Sequence, residues 1–451
     1  MRPLDVRSEL FGARTAMFYN AGEDRKRPVH MIKMSWVAPR LTSHELVTLR
    51  NIRKAFGESL ESELPLLPQP IGLAKQPSGF QGTTSDTTQT SSAAANFPAR
   101  HLCALVTRQH RGDHIGRQVL PRYLVRIHQQ LAEVLLKLAE KGYHYRDLND
   151  GNVRLLRGSK SKLYLADYGN VRKHFSIREE RNPSDAAATI DRAKDDTRSA
   201  TPLFAPSCYA IAKAASEEWG LAVASVVERA EQLSRRVSKA AGGRVTSGSL
   251  RASVDAILEN LEDLHEALRD SNVHSHRYID DMESALYLHL WTMALNRGLS
   301  KFGQIELSRK LRDDKTAIWT KGCRWELLLD EHCKPAGRRW KILMGKLRKV
   351  VYEARQALTA ELLKPFEADG RASIETLRAD LEKWRFKEKE NDMAVADATV
   401  MIIDSLWQGK GILDDKSGLQ DIERECYNEC IRLLYKVGHS GHSKGEKNDK
   451  G

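Results

Sequence analysis

His144-Tyr145-Arg146-Asp147-Leu148-Asn149-Asp150-Gly151-Asn152, followed by Leu165-Ala166-Asp167-Tyr168-Gly169, is the stretch on which the reading of this chain turns. Fifteen positions carry the chain from Asn152 to Asp167. Two carboxylates and a carboxamide at this spacing suit phosphoryl transfer from ATP. Asp147 can accept a hydrogen bond from an attacking hydroxyl, while Asn152 and Asp167 offer hard oxygens to magnesium. Leu163-Tyr164-Leu165-Ala166 reads as a short buried strand that would hold Asp167 rigidly at its end. The alternative is a chance pair of Asp/Asn turns, against which stands the ordered run of polar positions in strand and helix context.

The stretch resembles the catalytic core of eukaryotic-type protein kinases. Tyr-Arg-Asp stands where that family has His-Arg-Asp, with Asn five residues on, and Asp-Tyr-Gly stands for Asp-Phe-Gly. The fold this implies is α+β and bilobal, protein-kinase-like, with a small β-rich N-lobe and a larger, mostly α-helical C-lobe carrying helical insertions. The resemblance also calls for a strand lysine and a helix glutamate upstream. Val29-His30-Met31-Ile32-Lys33 alternates like a strand, and Lys33 would contact the ATP phosphates. Twelve residues on, Glu45 opens a helical pattern continued by Leu46, Leu49, Ile52 and Phe56, where it could pair with Lys33. A surface lysine and an ordinary first-turn glutamate are the plain alternative. The phosphate-cradling loop is thin: Phe11-Gly12-Ala13-Arg14-Thr15 has Gly12 alone where kinases commonly have three glycines, and so fewer close backbone approaches to phosphate.

Leu102 to Val106 reads as the strand leading to the hinge, with Thr107-Arg108-Gln109-His110 crossing to the C-lobe. Gln129 to Lys141, ending at Gly142, is an amphipathic helix that would support the catalytic loop. In a kinase-like fold Thr201, in Arg198-Ser199-Ala200-Thr201-Pro202, would hydrogen-bond near Asp147, and Asp281 would tie down the catalytic-loop backbone from a core helix. His274 and His276 form a His-x-His pair, which we read as structural rather than metal-ligating.

Arg-Ser-Ala-Thr-Pro-Leu-Phe-Ala (198–205), His-Arg-Tyr-Ile-Asp-Asp-Met-Glu-Ser-Ala-Leu-Tyr (276–287) and Lys-Met-Ser-Trp (33–36) together resemble the fungal-type protein kinases, over roughly residues 10–300. That resemblance implies a Ser/Thr protein kinase using ATP and Mg2+. Lys33 would orient the phosphates with Glu45, Asp147 would act on the substrate hydroxyl, and Asn152 and Asp167 would hold the metal. Gly169 would supply the turn after Asp167. Arg146 would answer a phosphate in the 170–201 segment, with Thr197 and Ser199 as candidates. Three departures stand out. Tyr145 replaces the usual histidine, though its ring can pack under the Asp-Tyr-Gly turn. Asn149 replaces the lysine many protein kinases carry two residues after the base. The glycine loop is sparse.

The chain has 451 residues, 41 % of them hydrophobic, and no apolar run approaches a membrane span. The N-terminus lacks a signal-peptide core and six cysteines are scattered, so an intracellular, reduced setting, cytoplasmic or nuclear, is expected. Cys426 and Cys430 lie one helical turn apart and read as packing. The net charge of +12 is spread over many helices; the basic run Lys334–Arg355 could bind anionic partners or a calmodulin-like groove, but reads rather as a C-lobe helix with a solvated basic face. No sequence-specific nucleic-acid reading and no membrane partner follow.

The expected domains are an N-lobe at 1–106 with a low-complexity, disordered loop at 77–96, and a C-lobe at 107–300 with a helical-hairpin insertion near 215–270. A helical part or extension at 301–437 and a disordered tail at 438–451 complete the chain. The hairpin could dock a partner protein or pack on the C-lobe. Two alternatives to an active kinase remain open from sequence: a pseudokinase scaffold, and a small-molecule phosphotransferase suggested by Asn149-Asp150-Gly151-Asn152.

Overall fold

The computed structural model describes residues 2–7, 15–19, 29–37, 42–64, 66–75, 101–110, 112–115, 121–156, 159, 162–173, 201, 203–207, 276–296, 298–333, 337–365 and 419–439. Gly12, the 77–96 loop, Thr197, Ser199, His274, the 215–270 hairpin and the tail beyond 439 lie outside the described residues. The chain divides into two compact units. One comprises residues 1–173, 288–300 and 434–451, and the other residues 174–287 and 301–433.

The first unit is built on a five-stranded antiparallel sheet of β1 (Arg2–Arg7), β2 (Thr15–Tyr19), β3 (Val29–Val37), β4 (Gln69–Lys75) and β5 (His101–Gln109), in the order β1-β2-β3-β5-β4. β3 is the central strand, with Lys33 opposite Met17 on β2 and Leu105 on β5. Directly opposed residues share a face of the sheet. Cys103, Leu105, Thr107 and Gln109 alternate along β5 and are all buried, so Lys33 stands on that buried face. β5 runs three residues past the strand expected from sequence, so Thr107 to Gln109 continue the ladder.

α1 (His44–Phe56) presents Leu46, Leu49, Ile52 and Phe56 at helical spacing, and all four are buried. Gly57, with φ 51°, ends it in a conformation few residues but glycine adopt. A short α2 (Leu60–Glu63) precedes β4. The long α3 (Pro121–Glu140) buries Leu124, Ile127, Leu131, Leu135 and Leu138, starting eight residues before the helix read from sequence. It stops at Gly142, whose φ of 82° returns an N–H to the Ala139 carbonyl at 2.9 Å. The chain then enters β7 (Tyr143–His144) and the loop carrying Asp147. β6 (Gly112–His114), β8 (Val153–Leu156) and β9 (Leu163–Leu165) form a second small sheet, and β7 pairs with β10 (Arg172–Lys173).

α4 (Tyr278–Asn296) contributes residues to both units. In the first, His289 stacks on His128 of α3 with ring centroids 3.9 Å apart, and His128 also meets Thr292 at 3.2 Å.

The second unit, described by itself, is helical: the start of α4, then α5 (Lys301–Asp313), α6 (Lys315–Thr320), α7 (Gly322–His332), α8 (Arg338–Pro365) and most of α9 (Asp421–His439). Tyr287, Trp319 and Trp325 pack together at centroid distances of 5.8–6.3 Å. Fully buried Glu423 receives the Ile279 N–H at 3.2 Å and pairs with Arg277 at 3.4 Å, stitching α9 to the start of α4. Cys426 and Cys430 are buried, as packing residues should be. His276 meets Asp281 at 3.2 Å.

The basic run of α8 corrects the simple solvated-face expectation. Arg338, Arg339, Lys346 and Lys349 are exposed, but Arg348 is buried over the Trp319 ring and donates to the Trp319 carbonyl. Arg355 is also buried and pairs with Asp280 at 3.5 Å. Arginine stems and guanidinium planes pack well on aromatic surface, so part of this charge serves the core.

Candidate active site

Lys33 holds the centre. Its Nζ donates to Glu45 Oε2 at 2.8 Å and to Asp167 Oδ1 at 2.6 Å, joining residues 12 and 134 positions away. Burial works against the Lys33 charge, but the carboxylates of Asp167 and Glu45 outweigh it and hold the ammonium above the usual lysine range. Burial pushes the Glu45 carboxyl up; Lys33 pulls it down and Asp167 pushes it up again. The Glu45 side chain also receives the Tyr168 backbone N–H on Oε1 at 3.2 Å, so α1 grips the Asp-Tyr-Gly turn as well as the lysine.

Gly169 closes that turn by donating its N–H to Asp167 Oδ1 at 2.9 Å. A Cβ at Gly169 would lie 3.1 Å from Asp167 Oδ1 and 3.3 Å from Lys33 Nζ, so the ion pair itself fills the space a side chain would take. Below the turn, Tyr145 and Tyr168 are buried and meet edge to face at 5.7 Å. Tyrosine in place of histidine packs under the turn as expected.

The register of the small sheet sets Asn152 opposite Ala166, the residue before Asp167. β8 starts just after Asn152, β9 ends just before Ala166, and the strands pair antiparallel with Val153 opposite Leu165. The residues flanking that pair therefore run side by side, and the Ala166 N–H donates to the Asn152 carbonyl at 2.8 Å. The Asn152 amide nitrogen donates to the Asp147 carbonyl at 2.9 Å and to Asp147 Oδ2 at 3.1 Å. That leaves Asn152 Oδ1 as its oxygen for a cation. A carboxamide oxygen and the Asp167 carboxylate are hard donors of the kind magnesium takes, so the residue types fit that ion.

Asp147 lies in a loop with one conformational exception: Arg146 has φ 69°, uncommon for a non-glycine residue. Asn149, which sequence marks as a missing lysine and as part of the Asn-Asp-Gly-Asn run, is held by several hydrogen bonds. It is buried, its Oδ1 accepts the N–H groups of Gly151 and Asn152 at 2.9 Å each, and its Nδ2 donates to Asp147 Oδ1 at 3.0 Å. Asn170, which sequence reasoning passed over, donates to Asp147 Oδ2 at 3.0 Å. The only sequence signal for it was a third asparagine directly after Asp-Tyr-Gly.

The structure thus brings Lys33, Glu45, Asp167 and Gly169 together, and joins Asp147, Asn149, Asn152 and Asn170. Thr201 and Asp281 belong to the second unit. There the Thr201 carbonyl accepts the N–H groups of Phe204 and Ala205 at 2.9 Å each, and Lys315 donates to the Leu203 carbonyl at 3.1 Å. Among the described residues, no helix is long and apolar enough to cross a membrane.

No family model matches this chain, and no curated protein matches it. Among solved structures it is similar to vaccinia related kinase 3, at 10 % identity and a TM-score of 0.31, over 71 % of this chain and 76 % of that one. At that degree of likeness, function has to be read from this chain's own side chains.

Proposed function

We propose that this chain is an ATP- and Mg2+-dependent Ser/Thr protein kinase with the two-lobed fold of that class, similar to the fungal-type kinases in its motifs. The observation that supports it most is the Lys33 ammonium, held at once by Glu45 and Asp167, 12 and 134 positions away in sequence. A lysine fixed between two carboxylates suits the phosphates of a nucleotide, as a point charge that keeps its position. Magnesium-ATP, when bound, supplies the phosphoryl group and neutralises its developing charge. Lys33 would align the phosphates, Asn152 and Asp167 would hold the metal, and Asp147 would orient the attacking hydroxyl and accept its proton. Gly12, Arg146 and Thr201 keep the phosphate-loop, phosphate-answering and substrate-platform roles assigned to them as proposals.

The test is magnesium-ATP turnover with a generic protein substrate, comparing the parent with Lys33→Met and Asp147→Asn. Both variants should lose turnover on the order of a hundredfold or more. Parent protein that binds no nucleotide would replace this reading with a scaffold. Turnover on small hydroxyl compounds but on no protein would replace it with a small-molecule phosphotransferase.

A further inference from the structure

Asp147 is held by more than its own loop. Asn149 Nδ2 lies 3.0 Å from Oδ1, while Asn152 Nδ2 and Asn170 Nδ2 lie 3.1 and 3.0 Å from Oδ2. A carboxylate only accepts, so each amide must present its nitrogen to it. Asn149 and Asn152 belong to the same loop as Asp147. Asn170 comes from the other side of the Asp-Tyr-Gly turn, 23 residues away. It is thus the one of the three that ties the carboxylate to the segment carrying Asp167.

We propose that Asn170 is a positioning residue for Asp147, its amide N–H fixing Oδ2 so that the other face of the carboxylate meets the acceptor hydroxyl. This rests on the kinase reading of Asp147 and deepens it. Hydrogen bonds to a charged group are strong enough to set a rotamer, and a carboxylate free to rotate would meet the hydroxyl in fewer productive encounters. Asn170 bonds the carboxylate assigned to the acceptor hydroxyl, whereas the phosphates are assigned to Lys33, so its loss should fall on kcat rather than on the KM for ATP.

The experiment measures kcat and the KM for ATP, with magnesium-ATP and a generic protein substrate, for the parent, Asn170→Ala, Asn170→Asp and Asp147→Asn. Asn170→Ala should lower kcat on the order of tenfold, with the KM for ATP unchanged within about twofold. Asn170→Asp is the discriminating variant. It keeps the shape of asparagine but replaces the donor with a second carboxylate facing Asp147. If the residue served only as packing, Asn170→Asp would be milder than Asn170→Ala; if it donates to Asp147, the aspartate is the more damaging of the two. Asn170→Ala with parental kcat, or Asn170→Asp more active than Asn170→Ala, overturns the inference while leaving the kinase reading intact, provided Asp147→Asn is dead. An active Asp147→Asn, or a parent without turnover, overturns both.

Discussion

At the scale of single residues, Lys33 shows how one side chain gathers a site. Its ammonium carries two short ion pairs in a partly buried place, where losing the lysine would leave two carboxylates without their shared counter-charge. Gly169 is small for the same reason. Its backbone is not in the left-handed region, so the constraint is space: a methyl group would press on Asp167 Oδ1 and Lys33 Nζ. Gly169→Ala is therefore expected to lower turnover roughly tenfold by displacing Lys33 and Asp167 a few tenths of an ångström. The denaturant midpoint should move little. Steady-state kinetics beside a urea melt separates the two effects, and parental kinetics would show that the turn has room to give.

At the scale of elements, the fold is fixed by contacts between strands and helices distant in sequence. Gly112 on β6 passes so close to β8 and β9 that an added Cβ would meet the Tyr164 hydroxyl at 2.6 Å and the Arg154 Cβ at 2.7 Å. Tyr164 donates that hydroxyl to the His110 carbonyl at 2.7 Å, which leaves it little freedom to retreat. Gly112→Ala should destabilise by about 1–3 kcal/mol, an overpacking cost readable as a lowered midpoint in a urea melt.

The helices α3 and α4 meet at the stacked pair His128 and His289, both buried. Burial, and then the neighbouring His289, push His128 well below its usual value of 6.5; burial pushes His289 down to about 3. Both rings are neutral when folded, whereas the unfolded chain takes up protons as pH falls through about 6.5. Their contribution is thus fully present above that pH and is lost progressively as pH drops from about 6.5 toward 3. Urea melts at falling pH should show this slope, and His289→Leu should flatten it.

At the scale of the whole molecule, a nucleotide that binds the folded chain alone must stabilise it. Magnesium-ATP at roughly a hundredfold excess over its Kd should add about 2.7 kcal/mol, seen as a higher melting temperature. Lys33→Met should abolish the shift. A parent that melts at the same temperature with and without magnesium-ATP would argue against nucleotide binding at this site.

The sequence by itself determined the parts: local periodicity marked the strand of Lys33, the helix of Glu45, the buried β9 and the helix before the Asp147 loop. Its polar spacing marked Asp147, Asn152 and Asp167, because these signals are carried within a few residues of one another. Only the tertiary structure decided how they meet. The 134 positions between Lys33 and Asp167 are closed by a central strand and a turn. The burial of Arg348 depends on an aromatic cluster from other helices, and Asn170 gains its contact only when folding brings the Asp147 carboxylate to its amide. Long-range pairing leaves no local periodicity to read, so no spacing rule could have announced it.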